Sequence, residues 1–243
     1  MLFPASSSPR QTAARLFATA LLLCNAAGPL AAEDAKGTNV TQGAGGDPGA
    51  VATIALAHEV FALGQAHGDA LTVLAAARLA ASVEVGPGKE AGKAFTRTTS
   101  GEGEAGPEPA AAAPADAAAM FDLALTLAAQ DAFLTDVILD AQSEAGRGRI
   151  GGAYSQRASL ASGRTDSWEI PFTGGAYAEL AVLGAGTSDL DILVTDENGN
   201  VICYEGGQED RLYCDFVPSW DGFFVVAVEN KGGAAADYDL VTN

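Results

Sequence analysis

The spacing of apolar residues changes along the chain and divides it into a helical part and a strand-forming part. From residue 48 to residue 148 apolar residues recur with the period of an amphipathic helix. After Gly151-Gly152 they alternate with polar residues, as in strands that bury one face. The pattern predicts an α+β protein, with α-helical hairpins on the N-terminal side and an antiparallel, jelly-roll-like β-sandwich on the C-terminal side.

The helical part contains recognisable helix starts. Asp47-Pro48 predicts an N-cap followed by proline at the first helical position, and Asp69 and Asp116 are further N-cap residues. A break near Gln130-Asp131 divides the last segment, with one uninterrupted helix over 116–144 as the alternative. The short turns predict antiparallel helix pairs.

Three segments lack this periodicity or precede it. Residues 1–32 have basic residues, then a short apolar run and small residues, the pattern of a secretory signal peptide. Residues 33–47 are predicted to be a flexible lead. Within the helical region 48–148, residues 84–115 are rich in glycine, proline and alanine and are predicted to be a disordered loop.

Short β-rich runs recur about every ten residues after residue 152, which is typical of a sandwich. Turn sequences such as Asn198-Gly199 separate them. The predicted strands are Ser155–Leu160, Trp168–Phe172, Tyr177–Leu183, Leu190–Thr195, Val201–Tyr204, Leu212–Phe216, Phe223–Glu229 and Tyr238–Thr242.

Cysteine usage and charge agree with an exported protein, periplasmic or secreted. Cys203 and Cys214 predict one disulfide, with two buried thiols as the alternative. Cys24 is expected to be removed with the signal peptide. Its lipidation is the alternative, which the bulky Leu23 disfavours because lipidation sites have a small residue before the cysteine. Thirteen basic against 31 acidic residues exclude nucleic-acid and polybasic membrane partners. No segment after residue 32 is apolar enough to predict a transmembrane helix.

Four runs of the C-terminal part match a known pattern: residues 165–172, 189–199, 222–226 and 238–240, of which Asp189-Leu190-Asp191 and Gly222-Phe223-Phe224 are the most specific. On these runs the chain, over about residues 153–243, is similar to the bacterial pre-peptidase C-terminal domain. The helical part only resembles tetratricopeptide-like repeats and lacks their aromatic and proline positions. The resemblance implies a small secreted β-sandwich that sometimes binds insoluble polymers such as collagen.

Register arithmetic predicts one candidate ligand surface. A two-residue turn at Asn198-Gly199 places Leu193 opposite Tyr204, and a disulfide across the next hairpin places Tyr204 opposite Tyr213. This predicts a Leu193–Tyr204–Tyr213 row on the face away from the core. The row is either a ligand platform, a surface on which the helices dock, or a stabilising cross-strand pair.

Three further features bear on ligands. Trp220, in a turn before a strand, either caps the sandwich or stacks on a sugar. Asp189, Asp191 and Asp210 are candidate calcium ligands, and no other cofactor is indicated. His58 and His67, without further ligands, are expected to be core or boundary histidines rather than a zinc site.

Three functional hypotheses follow. The first, since no catalytic motif is present, is an exported, non-catalytic binding or scaffolding protein with a polymer or protein partner outside the cytoplasm. The second is an envelope structural protein whose sandwich face is covered by its own helices. The third is an enzyme of unrecognised type, which would need a cleft holding His58 or His67 with a carboxylate and a nucleophile.

Overall fold

The structure, a computed structural model, describes residues 37–87, 95–101, 114–145 and 150–243. These residues form four helices and ten strands. The helices are α1 (Ala50–His67), α2 (Ala70–Ala81), α3 (Ala117–Leu127) and α4 (Ala132–Glu144). The strands are β1 (Val83–Pro87), β2 (Thr96–Ser100), β3 (Ile150–Leu160), β4 (Thr165–Phe172), β5 (Ala178–Gly184), β6 (Leu190–Asp196), β7 (Val201–Glu205), β8 (Arg211–Phe216), β9 (Gly222–Asn230) and β10 (Ala236–Thr242).

The strands form two five-stranded sheets that pack face to face. Sheet 1 has the strand order β1-β3-β10-β5-β8, and sheet 2 has the order β2-β4-β9-β6-β7. The strand pairs are antiparallel except β1 with β3, which is parallel. The predicted α+β class with a C-terminal sandwich is confirmed, and each of the predicted strands overlaps an observed one.

The core between the sheets is built by alternating residues of both sheets. At its centre the rings of Phe172, Phe216 and Phe224 lie 4.7 to 5.6 Å apart between centroids. Removing these side chains from water is the main stabilising contribution to such a sandwich.

One end of this core holds a buried polar network around Asp166. The Asp166 carboxylate accepts hydrogen bonds from Tyr238 Oη at 2.7 Å and Thr99 Oγ1 at 2.5 Å, and it pairs with the Arg97 guanidinium at 2.7 Å. Trp168 Nε1 donates to the Tyr238 hydroxyl at 2.7 Å. Burial is the first cause that raises the pKa of Tyr238, and the Asp166 carboxylate is the second. The charge of Asp166 is therefore compensated inside the sandwich.

The predicted disordered loop over 84–115 is wrong for part of its length. In the portion that the structure describes, β1 pairs with β3 and β2 pairs with β4, so both are edge strands of the sandwich. Apolar periodicity did not reveal β2, because all five of its residues are exposed. The strand is held by ladder hydrogen bonds to a distant strand and by the contacts of Arg97 and Thr99 with Asp166. Residues 88–94, 102–113 and the predicted signal peptide over 1–32 lie outside the described residues.

A second core joins the helices to sheet 1. Ala181 and Leu183 of β5 and Val241 of β10 point away from the sandwich core and pack with α1, α2 and α3. The helices α1 and α2 approach closely at Gly64, where a Cβ atom would lie 2.8 Å from the backbone nitrogen of Val73. Among the described helices, none has the length and apolar character needed to cross a membrane.

The helix starts are mostly as predicted. The side chains of Asp69, Asp116 and Asp131 accept hydrogen bonds from first-turn amides of α2, α3 and α4, and Asp131 marks the predicted break. The start of α1 differs, because Gly49 rather than Asp47 is its N-cap and makes no side-chain cap. Glu179 of β5 accepts hydrogen bonds from the backbone N–H groups of Gly49 and Ala52 at this helix start instead.

Candidate functional site

The outer face of sheet 2 is the candidate binding surface, and we call it the open face. Its outward side chains from β6, β7 and β9 are largely apolar. Val201 is 61% exposed, Tyr204 is 60% exposed and Phe223 is 40% exposed, while the side chains between them are half-buried. The open face consists of Leu193, Thr195, Val201, Tyr204, Phe223, Val225 and Ala227.

Tyr204 and Leu193 form a cross-strand pair on this face, with Tyr204 on the edge strand β7. Leu193 lies opposite Tyr204 on β7, as predicted, and opposite Ala227 on β9. The Tyr204 hydroxyl donates a hydrogen bond to Asp191 Oδ2 at 3.0 Å, and this bond raises the pKa of Tyr204. The ring is therefore held at its polar tip while its flat side remains accessible.

Tyr213 does not lie in this row, so the predicted Leu193–Tyr204–Tyr213 surface is wrong. After β7 the chain crosses between the sheets, because β8 pairs with β5 in sheet 1. The predicted disulfide between Cys203 and Cys214 is confirmed, but it links the two sheets instead of bridging a hairpin. The spacing of the cysteines is compatible with both arrangements, and only the strand pairing distinguishes them.

The turn that leads into β7 also differs from the predicted two-residue turn. Gly199 N donates to Asp196 O at 3.0 Å, which makes Glu197 and Asn198 the central residues, and Gly199 has a φ of 80°. The register shifts between Val194 and Thr195, where a bulge interrupts the pairing. Val201 therefore points into solvent.

Trp220 lies at a corner beside the turn between β6 and β7. Its Nε1 donates to Glu197 Oε1 at 2.6 Å, and the buried Asn39 contacts both residues. Burial raises the pKa of Glu197, but hydrogen bonds, first that from Trp220, outweigh it and lower the pKa overall. Trp220 is 37% exposed, so its indole both caps the corner and presents an edge to solvent.

Asn39 also corrects the prediction of a flexible lead over 33–47. Asn39 Oδ1 accepts hydrogen bonds from Ser219 N at 2.9 Å and Trp220 N at 3.0 Å, and its own backbone nitrogen donates to Asp196 Oδ2 at 2.8 Å. The described residues of the lead, from 37 onward, are therefore attached to the sandwich. A single buried asparagine has no periodicity, so the sequence carried no signal of this contact.

Tyr213 instead lies on the outer face of sheet 1. The helices pack on this face, and we call it the covered face. Its hydroxyl donates to Glu179 Oε1 at 2.8 Å, and the same oxygen accepts the backbone N–H groups of Gly49 at 3.0 Å and Ala52 at 3.3 Å. Burial raises the pKa of Tyr213, and Tyr177 and Glu179 raise it further. Glu179 is thus the N-terminal acceptor of α1, a favourable position for a carboxylate. Glu179 is one acidic residue in an apolar strand, a signal that sequence reasoning overlooked.

The predicted calcium ligands do not converge. Asp210 accepts backbone N–H groups from Gly186, Thr187 and Ser188 at 2.8 to 3.1 Å, which occupies its carboxylate. Asp191 is bonded to Tyr204, and Asp189 Oδ1 is buried without a hydrogen-bond partner. Over the described ranges, no group of three or more His, Cys, Asp or Glu side chains suits a metal ion.

The two histidines, His58 and His67, differ in burial. His67 is exposed at the end of α1, whereas His58 is buried between α1 and sheet 1. Burial is the main cause that lowers the pKa of His58 from 6.5 to about 4. His58, Ser155 and Asp239 line one cavity, but in the described part of the chain no hydrogen bond joins the imidazole to either of them.

Comparison with known proteins gives structural likenesses at low identity. The pre-peptidase C-terminal domain of a collagenase from Bacillus anthracis matches with 18% identity and a TM-score of 0.32, over 39% of this chain and 91% of that chain. A periplasmic inhibitor of g-type lysozyme, PliG from Aeromonas hydrophila, matches with 13% identity and a TM-score of 0.27, over 37% of this chain and 84% of that chain.

A third likeness is the C-terminal carbohydrate-binding module, of family CBM6, of the marine laminarinase LamC from Zobellia galactanivorans. It matches with 13% identity and a TM-score of 0.20, over 37% of this chain and 91% of that chain. No family model and no curated protein sequence matches the chain. The first of these likenesses is to the domain that the sequence resembles, and membership of that family stays a prediction.

Proposed function

We propose that this protein is an exported, non-catalytic binding protein that binds a polymer or protein partner through the open face. The observation that carries the proposal is the exposure of Val201, Tyr204 and Phe223 on the outer face of sheet 2. Several exposed apolar side chains on one face are typical of interaction surfaces. The disulfide between Cys203 and Cys214 supports a location outside the cytoplasm.

The charges around the open face favour a particular kind of partner. Asp191 and Glu229 lie opposite each other at one side, and the exposed Glu169 lies opposite Val225 at the other. Lys231 pairs with Glu229 at 2.7 Å and compensates one of these carboxylates. The surplus is negative, so an uncharged polymer or a basic protein segment fits this surface better than an anionic one.

The alternative functions receive less support from the site. The helices cover sheet 1 and leave the open face exposed, so a covered sandwich face does not account for Tyr204. A histidine whose pKa is about 4 is a weak base at neutral pH, which argues against His58 as a general base.

A retention experiment tests the proposal. The purified protein is passed over insoluble cellulose, chitin and collagen, and the retained fraction is compared with that of Tyr204→Ala and Phe223→Ala. We expect retention on at least one matrix and at least a fivefold loss in each variant. Leu71→Ala is the matched control, because Leu71 is an equally exposed apolar side chain on α2. Unchanged retention in both open-face variants, or no retention on any matrix, would contradict the proposal.

A further inference from the structure

A cavity lies between the helices and the outer face of sheet 1, on the opposite side of the sandwich from the open face. Its volume is about 230 Å³. Its buried walls are aliphatic and are formed by Ile54, Ala80, Ala81, Val83, Leu183 and Val241. Apolar cavities of about 150 Å³ stay dry and accept a benzene-sized molecule. This cavity is therefore large enough for one ring with a small substituent.

The cavity exists because alanines meet there. Ala80 and Ala81 come from α2, and Ala115 and Ala117 lie at the start of α3. Each methyl side chain leaves space that a leucine at the same position would fill. The alanine-rich helices, which predict only a thin core, thus leave a defined space above the sheet.

His58 provides the polar group of this cavity. It is only 8% exposed, and it lines both this cavity and a neighbouring one of about 170 Å³. No hydrogen bond joins its imidazole to another described residue, and its nitrogens are not among the fully buried atoms without a partner, so they are open to the space of the cavity. Since its pKa is lowered to about 4, the ring is neutral at pH 7 and has one N–H donor and one nitrogen acceptor.

The charges at the rim exclude one class of ligand. Arg157 is paired with Asp239 through two hydrogen bonds, Nε at 3.0 Å and Nη2 at 2.7 Å. Asp116 adds a second carboxylate to the lining, so that the acidic groups outnumber the basic one. An anionic ligand would be repelled here, whereas an uncharged ligand meets no such cost.

We propose that this cavity binds a small, uncharged ring compound that carries a hydroxyl group. The ring packs on the aliphatic walls contributed by Ile54, Leu183 and Val241, and the hydroxyl forms a hydrogen bond with the imidazole of His58. The site is independent of the proposed function, because it lies on the covered sheet and shares no residue with the open face.

Titration calorimetry at pH 7 with phenol, toluene and benzoate tests this site. We expect saturable binding of one phenol per chain, with at least tenfold weaker binding of benzoate. Ala117→Leu fills the cavity from the first turn of α3 and should weaken phenol binding at least tenfold. Ala118→Leu is the matched control, since Ala118 is the next residue of the same helix and is exposed.

The hydrogen bond is tested separately with His58→Leu. The preference for phenol over toluene, which is similar in size but has no hydroxyl, should fall at least fivefold in this variant. No saturable phenol binding up to 10 mM, equal weakening by Ala117→Leu and Ala118→Leu, or an unchanged preference in His58→Leu would each overturn the proposal. The Ala117 and Ala118 pair decides the question even if His58→Leu does not fold.

Discussion

The two outer faces of the sandwich differ in their sequences as well as in what covers them. All seven residues of β5 are buried, because one side packs in the sandwich and the other under α1. In β6 buried and half-buried residues alternate, because its outer side lies on the open face. The strand covered on both sides is a nearly continuous apolar run, whereas the strand covered on one side alternates. The pattern of apolar residues in each strand therefore indicates which outer face of the sandwich is covered and which is exposed.

The two faces also use carboxylates differently. Glu179 on the covered face is buried and accepts hydrogen bonds from the helix that covers it. Glu169 on the other sheet is exposed. A charge on the covered face is therefore part of the attachment of the helices, whereas a charge on the open face contributes to the field that a partner meets.

Glu179→Ala should have the largest effect on stability, because it removes the carboxylate that links α1 to sheet 1. The hydroxyl of Tyr213 and the amides of Gly49 and Ala52 lose their acceptor, and we expect the free energy of unfolding to fall by about 4 kcal/mol. Urea unfolding followed by circular dichroism measures this change. The control, Glu169→Ala, should change stability by less than about 0.5 kcal/mol. Equal effects of the two substitutions would show that the carboxylates are equivalent and would remove the contrast between the faces.

Removing the disulfide should have the next largest effect, because Cys203 and Cys214 join the open sheet to the covered one. Replacing both with alanine should lower the free energy of unfolding by about 3 kcal/mol in the chain-entropy model. Chemical denaturation in the absence of reductant gives the measurement, and the unaltered protein with reductant is the control. A loss under about 1 kcal/mol in both would mean that the link between the sheets is dispensable.

Acidification should destabilise the covered side of the sandwich through His58. The pKa of His58 is lowered to about 4 in the folded protein from the 6.5 of an unperturbed histidine, so the unfolded chain binds more protons between these pH values. Stability should therefore decrease as the pH falls through this window, with about 2 kcal/mol attributable to His58 between pH 7 and pH 5. Thermal or urea unfolding at both pH values provides the test.

In His58→Gln this part of the pH dependence should disappear. Burial is the main cause that lowers the pKa of His58; Asp239 and Asp210 oppose it by raising the pKa, whereas Arg211 lowers it further. His67→Gln, which changes an exposed histidine of the same helix, should leave the pH dependence as it is. If the two variants behave alike, His58 is not the group responsible.

Much of the fold was accessible from local pattern. The strands after residue 152, the caps at Asp69 and Asp116 and the facing of Leu193 and Tyr204 depend on residues close together in the sequence. The sheet that β8 joins was not accessible, because hairpin and inter-sheet arrangements place the same two cysteines within reach of a disulfide. The prediction of a Leu193–Tyr204–Tyr213 row was wrong because it placed β8 beside β7, whereas β8 pairs with β5 in sheet 1.

The candidate site was only half predictable for the same reason. Tyr204 was identified correctly as an outward residue, whereas Glu179 and Asn39 act through partners more than a hundred positions away. A single buried polar residue has no period, so its partner is invisible until the chain is folded.

The amino-acid sequence alone determined the switch from helix to strand, the pair of cysteines that bond and the acidic surface that disfavours anionic partners. These properties depend on each residue and its near neighbours. Tertiary structure alone decided that β1 and β2 complete the two sheets, that helices cover sheet 1 and that Tyr204 and Tyr213 lie on different sheets. Such outcomes depend on which distant segments pair, and hydrophobic periodicity reports that a side chain is buried without reporting what buries it.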